Sequence, residues 1–195
     1  MGISKMSLNL SAGALADGSF DFMGKDAIRG VVTALPGSTA VSKTYEIQNG
    51  VKGVGQLWEG TTPLTSTSIK SMTMNIDNNL RGQKALGTLG NIGLGVGDFK
   101  VSGTIETYFA DGGQFDKFLN DTYTQLVVSI ADAAKNGYVF SMPRVLLMNS
   151  KITAGSKNQD IMASFDYVAF SDDANATAAM RKTLFIDRLG AAAAI

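Results

Sequence analysis

The sequence predicts a mainly β protein, a β-sandwich or barrel-like sheet with one flanking α-helix and a long inter-strand loop. Three observations carry this reading. Apolar residues recur at every second position in several stretches, most clearly where Met72, Met74 and Ile76 alternate with Ser71, Thr73 and Asn75. Only one short stretch has helical spacing. The segment Asp77–Gly90, between two such stretches, holds Gly82, Gly87 and Gly90 and is not expected to be helical, since each interior glycine costs about 1 kcal/mol relative to alanine.

Length suits a single domain over 1–195, large enough to bury roughly 70% of the surface that its unfolded chain exposes. The absence of cysteine removes disulfide and thiolate chemistry, and the absence of histidine removes the commonest general base and metal ligand. Catalysis is therefore not expected, and no cofactor or metal is. Net charge is zero and the charged fraction, 17%, lies below the roughly 25% usual for soluble domains, a composition that favours association. No basic run or basic-aromatic patch supplies a footprint for specific nucleic-acid binding. No apolar run nears the roughly 20 residues of a membrane span, and the start, MGISKMSLNL, lacks the apolar core of a secretory signal.

In chain order, Ser7–Ser11 alternates but stands isolated, which favours an N-terminal arm over 1–17. GSFDFM (Gly18–Met23) sets Phe20 and Phe22 on one side of a short strand. ALPGSTAVS (Ala34–Ser42) is a loop broken at Pro36-Gly37, and Lys43–Ile47 offers another strand. Trp58, the only tryptophan, sits among Gly50, Gly53, Gly55 and Gly60 and reads as a tight turn packed on the core. Ile69–Asp77 is a strand, and Phe99, Val101, Ile105 and Phe109 mark another. Phe115, Phe118 and Leu119 then form the core-facing stripe of a helix capped by Asp111. Leu126, Val128 and Ile130 resume the period of two, with Asn136-Gly137 as a hairpin turn into Tyr138, Phe140 and Met142. The sheet continues through Arg144–Met148, turns at Ala154–Asn158, and returns along Ile161–Phe170, whose two sides are both partly apolar. Asp172, Asp173 and Asn175 lack calcium-loop spacing and read as a solvated turn. Lys182–Asp187 is a last strand before a short tail, 188–195.

The segment between the strands at Ile69 and Phe99 is unusual. From Asp77 to Gly90 it reads as a long loop, with Leu80, Leu86 and Leu89 among Gly82, Gly87 and Gly90; Arg81 and Lys84 are its candidate polar contacts. A loop this long and this apolar is expected to meet another surface, on its own body or on a neighbouring subunit. Next, Ile92, Leu94 and Val96 alternate with Gly93, Gly95 and Gly97, so one face is bare backbone suited to close approach. A nucleotide fingerprint is excluded, because neither a helix nor Gly-Lys-Ser/Thr follows the glycines.

On these residues the chain resembles the tail tube (major tail) proteins of long-tailed bacteriophages with non-contractile tails. The likeness is densest in IDNNLRGQKALGTLGNIGLGVGDFKVSGTIETYFADG (Ile76–Gly112), FDKFLNDTYT (Phe115–Thr124), SKNQDIMASFDY (Ser156–Tyr167) and TLFIDR (Thr183–Arg188). GSFDFMGK (Gly18–Lys25) and YEIQNGVKGVGQLWEG (Tyr45–Gly60) add to it. The resemblance implies a tail tube fold whose copies form hexameric rings stacked into a hollow tube in the virion tail. It implies assembly in the bacterial host cytoplasm, association with tail terminator, tape measure and tail tip proteins, and passage of DNA without specific binding. Such a tube needs two different adhesive surfaces per subunit, which a weakly charged chain with an apolar loop can supply.

A lumen should not hold phosphates, so its lining is expected to be neutral or acidic, with Asp77, Glu106, Asp160 and Asp166 supplying part of the charge and basic residues facing elsewhere. Two alternatives fit the same residues: the inner tube of a contractile injection system, and a monomeric carbohydrate-binding β-sandwich using Trp58 and tyrosines for stacking.

Overall fold

A computed structural model describes residues 1–25, 58–59, 62–63, 69–109, 113–131 and 136–190. Its strands are β1 (Gly2–Ser11), β2 (Asp17–Met23), β3 (Trp58–Glu59), β4 (Thr62–Pro63), β5 (Ile69–Asp77), β6 (Arg81–Lys84), β7 (Asn91–Gly95), β8 (Lys100–Tyr108), β9 (Thr124–Ala131), β10 (Gly137–Thr153), β11 (Met162–Phe170) and β12 (Phe185–Leu189). Helix α1 covers Gly113–Leu119. Ten strands make one antiparallel sheet in the order β2-β1-β5-β8-β11-β10-β9-β3-β4, with β12 beside β10; β6 and β7 form a separate two-stranded sheet.

Strand β10 is the spine. Its first part, Gly137–Ser141, lies between β9 and β12, and its second part pairs with β11; Val145 stands opposite both Thr124 and Ala169, where the two regions meet. Seventeen residues of extended chain reach roughly 55 Å, so one strand links both regions of the sheet.

Period-two alternation turns one face of the sheet apolar. Across the register, Met6 faces Ile76, Ile76 faces Val101, Val101 faces Ala169 and Ala169 faces Val145. These residues belong to one continuous cluster running from Leu10 and Met72 round to Val128, Ile130 and Phe140, so the sheet curls onto its own apolar face as a half-barrel. The barrel-like alternative thus describes what forms: among the described residues, the curl of one sheet encloses the apolar surface that a sandwich would hold between two. Val101, Met142 and Val145 are wholly buried, each stabilising the fold by about 1.5–3 kcal/mol relative to an exposed side chain.

The next row contains a slot. Leu8, Met74, Gly103, Tyr167 and Leu147 stand side by side, and the Tyr167 ring lies across Gly103 so that its hydroxyl donates to the Thr73 carbonyl at 2.9 Å. A Cβ at residue 103 would meet the Tyr167 Oη at 2.7 Å and its Cε1 at 2.8 Å. Burial pushes the Tyr167 phenol well above its ordinary value, so it stays protonated and keeps donating.

Several expectations change. The 1–17 segment is not a free arm: Gly2–Ser11 is an inner strand held by β2 and β5, because Met6, Leu8 and Leu10 align with Ile76, Met74 and Met72. Asn136-Gly137 is not a two-residue turn, since Gly137 already pairs with Ala131 and the connection spans 132–136. In α1, Phe118 packs on the core and lies 5.9 Å from Phe115, but Leu119 is exposed, so the buried stripe is narrower than predicted. The turns after β10 and at Asp172–Asn175 form as expected, the second closed by a bond from the Asn175 side chain to the Asp172 carboxylate at 3.3 Å. The cap at Asp111, the loop at Ala34–Ser42, the strand at Lys43–Ile47 and the tail beyond Gly190 lie outside the described residues, as does the Trp58 ring.

Candidate functional site: a bare hairpin and a polar sheet face

The predicted long loop from Asp77 to Gly90 is instead one arm and the tip of a β-hairpin, β6–β7, paired from Arg81↔Gly95 to Lys84↔Asn91. Residues 81–84 are exposed throughout, so no half-buried alternation marks β6 in the sequence. The two strands fit because long side chains on one meet glycines on the other. A Cβ at Gly93 would meet the Gln83 amide oxygen at 2.5 Å, and one at Gly95 would meet the Gln83 amide nitrogen at 3.5 Å. The bare glycine face therefore receives its own hairpin's side chains. At Gly97 the neighbours are less able to move, with Asn79 Cβ at 2.7 Å and the backbone Asn79 O at 2.9 Å.

At the tip, Gly87 adopts φ +83° and the Thr88 hydroxyl donates to the Ala85 carbonyl at 2.9 Å. This turn leaves Leu86 and Leu89 at 103% and 109% relative exposure, so that among the described residues neither is covered. Ile92 and Val96 are also exposed, whereas Leu80 is partly covered and sits against Gly2. The structure thus separates Leu80, at the root, from Leu86 and Leu89, at the tip. Arg81 and Lys84 are exposed along β6.

The root is fixed by asparagines that the sequence reading did not single out. Asn79 takes a left-handed φ of 46°, donates its backbone N–H to Asp77 Oδ1 at 2.8 Å and its side chain to the Asp98 carbonyl at 2.7 Å. Asn78 ties the same corner to β1 through the Ile3 carbonyl at 2.8 Å, and Asn91 reaches the Gly24 carbonyl at 3.2 Å. The signal was present as Asp77-Asn78-Asn79, since Asp and Asn side chains close such turns and tolerate left-handed backbone. Depth of anchoring makes the hairpin a rigid projection.

The sheet face opposite the core is polar, and three of the four predicted acidic residues share it. Asp21, Lys5, Asp77 and Lys100 stand in one row across β2, β1, β5 and β8, lining a shallow groove. Ser19, Ser7, Asn75 and Ser102 form the next row, then Asp17, Asn9, Thr73, Thr104 and Asp166. Ser71, Glu106, Ser164 and Lys151 follow. Asp160 lies apart, exposed in the β10–β11 connection.

The face that holds these acidic residues carries lysines as well. With Lys70, which reaches Glu106, these rows carry Lys5, Lys70, Lys100 and Lys151 against Asp17, Asp21, Asp77, Glu106 and Asp166, four cations against five carboxylates. Lys5 Nζ sits 3.2 Å from Asp77 Oδ2 and Lys70 Nζ 3.5 Å from Glu106 Oε1. Asp166 accepts from the Thr104 hydroxyl and the Asn149 amide, both at 3.1 Å. The Asn79 backbone N–H, helped by Lys5 and Lys100 against some desolvation, holds the Asp77 carboxyl below its ordinary value. Alternation reveals two faces without charge segregation, so the pairing across strands was not readable from one strand. Among the described residues, no cluster of acidic side chains is arranged to hold a metal.

Comparison with curated proteins yields no match. Among solved structures, a chain of the cryo-EM structure of the anti-feeding prophage (AFP) baseplate, 6-fold symmetrised, is similar with a TM-score of 0.42 at 11% identity, over 67% of this chain and 91% of that one. The likeness is too slight to bear on function. The family described as Phage tail tube protein matches residues 1–169, from β1 almost to the end of β11 and so through both candidate surfaces. By that match the chain belongs to the phage tail tube protein family and is a structural component of the virion tail.

Proposed function

We propose that this chain is the repeating subunit of the tube itself: copies close into hexameric rings, and the rings stack into a hollow conduit through which DNA passes into the host. The observation that carries this is the anchored hairpin whose Leu86 and Leu89 are fully exposed among the described residues. Holding two leucines fully in water forgoes roughly 1.5–3 kcal/mol each, a loss that a contact with the next copy recovers. Leu86 and Leu89, flanked by Arg81, Lys84 and Ile92, form one side of that contact. The partial exposure of Leu80 and the intrachain filling at Gly93, Gly95 and Gly97 give those residues a supporting role at the hairpin's base.

In this reading the polar face of β2-β1-β5-β8-β11 lines the lumen, with Asp77, Glu106 and Asp166 on it, and Asp160 at its margin. The role is structural, without catalysis; assembly takes place in the host cytoplasm, and the tube's ends meet terminator, tape measure and tip proteins. The test is Leu86→Asp with Leu89→Asp, imaged by negative stain beside the wild type. Wild-type tubes and a folded variant that stays as single subunits are expected; normal tubes from the variant would reject the hairpin contact.

A further inference from the structure

We propose that Asp77 and Glu106 are fixed counterions that mask Lys5 and Lys70, lowering the adhesion of the polar sheet face to the phosphates of a nucleic acid moving over it. This rests on the lumen reading above. The two lysines are accessible, with side chains 59% and 48% exposed, so unpaired they would offer phosphate contacts. Each instead has a carboxylate beside it, and both carboxylates are built alike: one oxygen is tied to a neutral donor while the other faces the ammonium.

In Asp77, Oδ1 accepts the Asn79 N–H at 2.8 Å and Oδ2 faces Lys5 at 3.2 Å. In Glu106, Oε2 accepts the Ser71 hydroxyl at 3.2 Å and Oε1 faces Lys70 at 3.5 Å. The tethered oxygen keeps the carboxylate from swinging away, so a phosphate would have to displace a counterion already in position. Exposed ion pairs add little to stability. Their consequence here lies in affinity, because each lysine freed for a phosphate adds about 0.9 to the slope of log affinity against log salt. A duplex passing many copies would meet that term repeatedly.

The test uses the full chain, diluted below the concentration at which it assembles, and a 20-base-pair DNA duplex, read by fluorescence anisotropy from 50 to 200 mM salt. Asp77→Asn with Glu106→Gln keeps both tethering bonds and removes both counterions. That variant should bind about tenfold more tightly than wild type at 50 mM and lose roughly tenfold by 200 mM, as two freed lysines require. Adding Lys5→Ala and Lys70→Ala should abolish the gain. Asp116→Asn with Asp173→Asn, which raises net charge equally away from this face, should bind like wild type. No gain in the first variant, or an equal gain in the control, overturns the proposal. Because the assay reads single subunits, tubes found with this face outward would reject the lumen reading and leave the masking result standing.

Discussion

The ten-stranded sheet and the β6–β7 hairpin solve opposite problems with neighbouring stretches of sequence. In the sheet, Met72, Met74, Ile76, Val101 and Ile105 spend their apolar surface within the subunit and are buried. In the hairpin, Leu86, Leu89, Ile92 and Val96 remain exposed on a projection held by its own strand pairing and by the asparagines at its root. The first arrangement makes a subunit that folds alone; the second leaves a shaped, unsatisfied surface. Hairpin rigidity matters because a floppy tip would lose entropy on docking that a preset one has already lost.

The sharpest way to break the comparison is inside the sheet. Gly103→Val places side-chain atoms where the Tyr167 ring and the Thr73 carbonyl already lie, and the ring, packed in the core, has nowhere to move. A loss above about 4 kcal/mol is expected, near the limit for single substitutions, read as an unfolded or insoluble protein or a collapse in Tm. Wild-type melting would show the slot to be wider than described.

A smaller effect separates two glycines at the hairpin. Gly97→Ala presses on the Asn79 backbone and should cost about 1–3 kcal/mol, whereas Gly95→Ala meets Gln83 and Arg81 atoms at ordinary contact distance and should fall within about 0.5 kcal/mol of wild type. Denaturant midpoints of the two variants check the order. Equal costs would mean that the hairpin's root is no more tightly built than its arm.

The smallest effect is set by pH. Asp77 has its carboxyl held below the ordinary 3.8 in the folded state, so its contribution is present above that value and is lost as pH falls through the lower folded value. Melting curves of wild type and Asp77→Ala should therefore differ slightly at pH 6 and converge as the pH falls below the folded value. A difference that persists in acid would assign the effect to packing.

How much of this was legible in the sequence follows from burial. Strands with one buried face, such as Ile69–Asp77 and Met162–Phe170, declare themselves by period two, because evolution has filled alternate positions for water and for the core. Strand β6 has no buried face, so Arg81-Gly82-Gln83-Lys84 carries no period, and only the glycines opposite it hinted at a partner. β1 alternates visibly at Ser7–Ser11, but its partner β5 lies some sixty residues downstream, and a lone short strand looks like an arm until that partner is known. The polar face was legible as residue types and illegible as pairs, since Lys5–Asp77 and Lys70–Glu106 are each made between different strands. Gly103 was hidden for a simpler reason: a missing side chain in the run Val101, Gly103, Ile105 reads as a gap in the pattern, while in the fold it is the fit.

That fit bears on how the chain avoids folding wrongly. Sliding β11 along β8 by two residues would preserve every polar and apolar assignment, and hydrophobic patterning alone cannot reject it. It would, however, bring Tyr167 onto Val101 or Ile105, where no empty space awaits a ring and the hydroxyl has no arranged acceptor. The tyrosine and the glycine act together as a key and keyway that admits one alignment of the central strands. In the proposed tube, where one subunit would be repeated many times at one length and one curvature, such a key would guard against near-native copies that are folded, soluble and the wrong shape to stack.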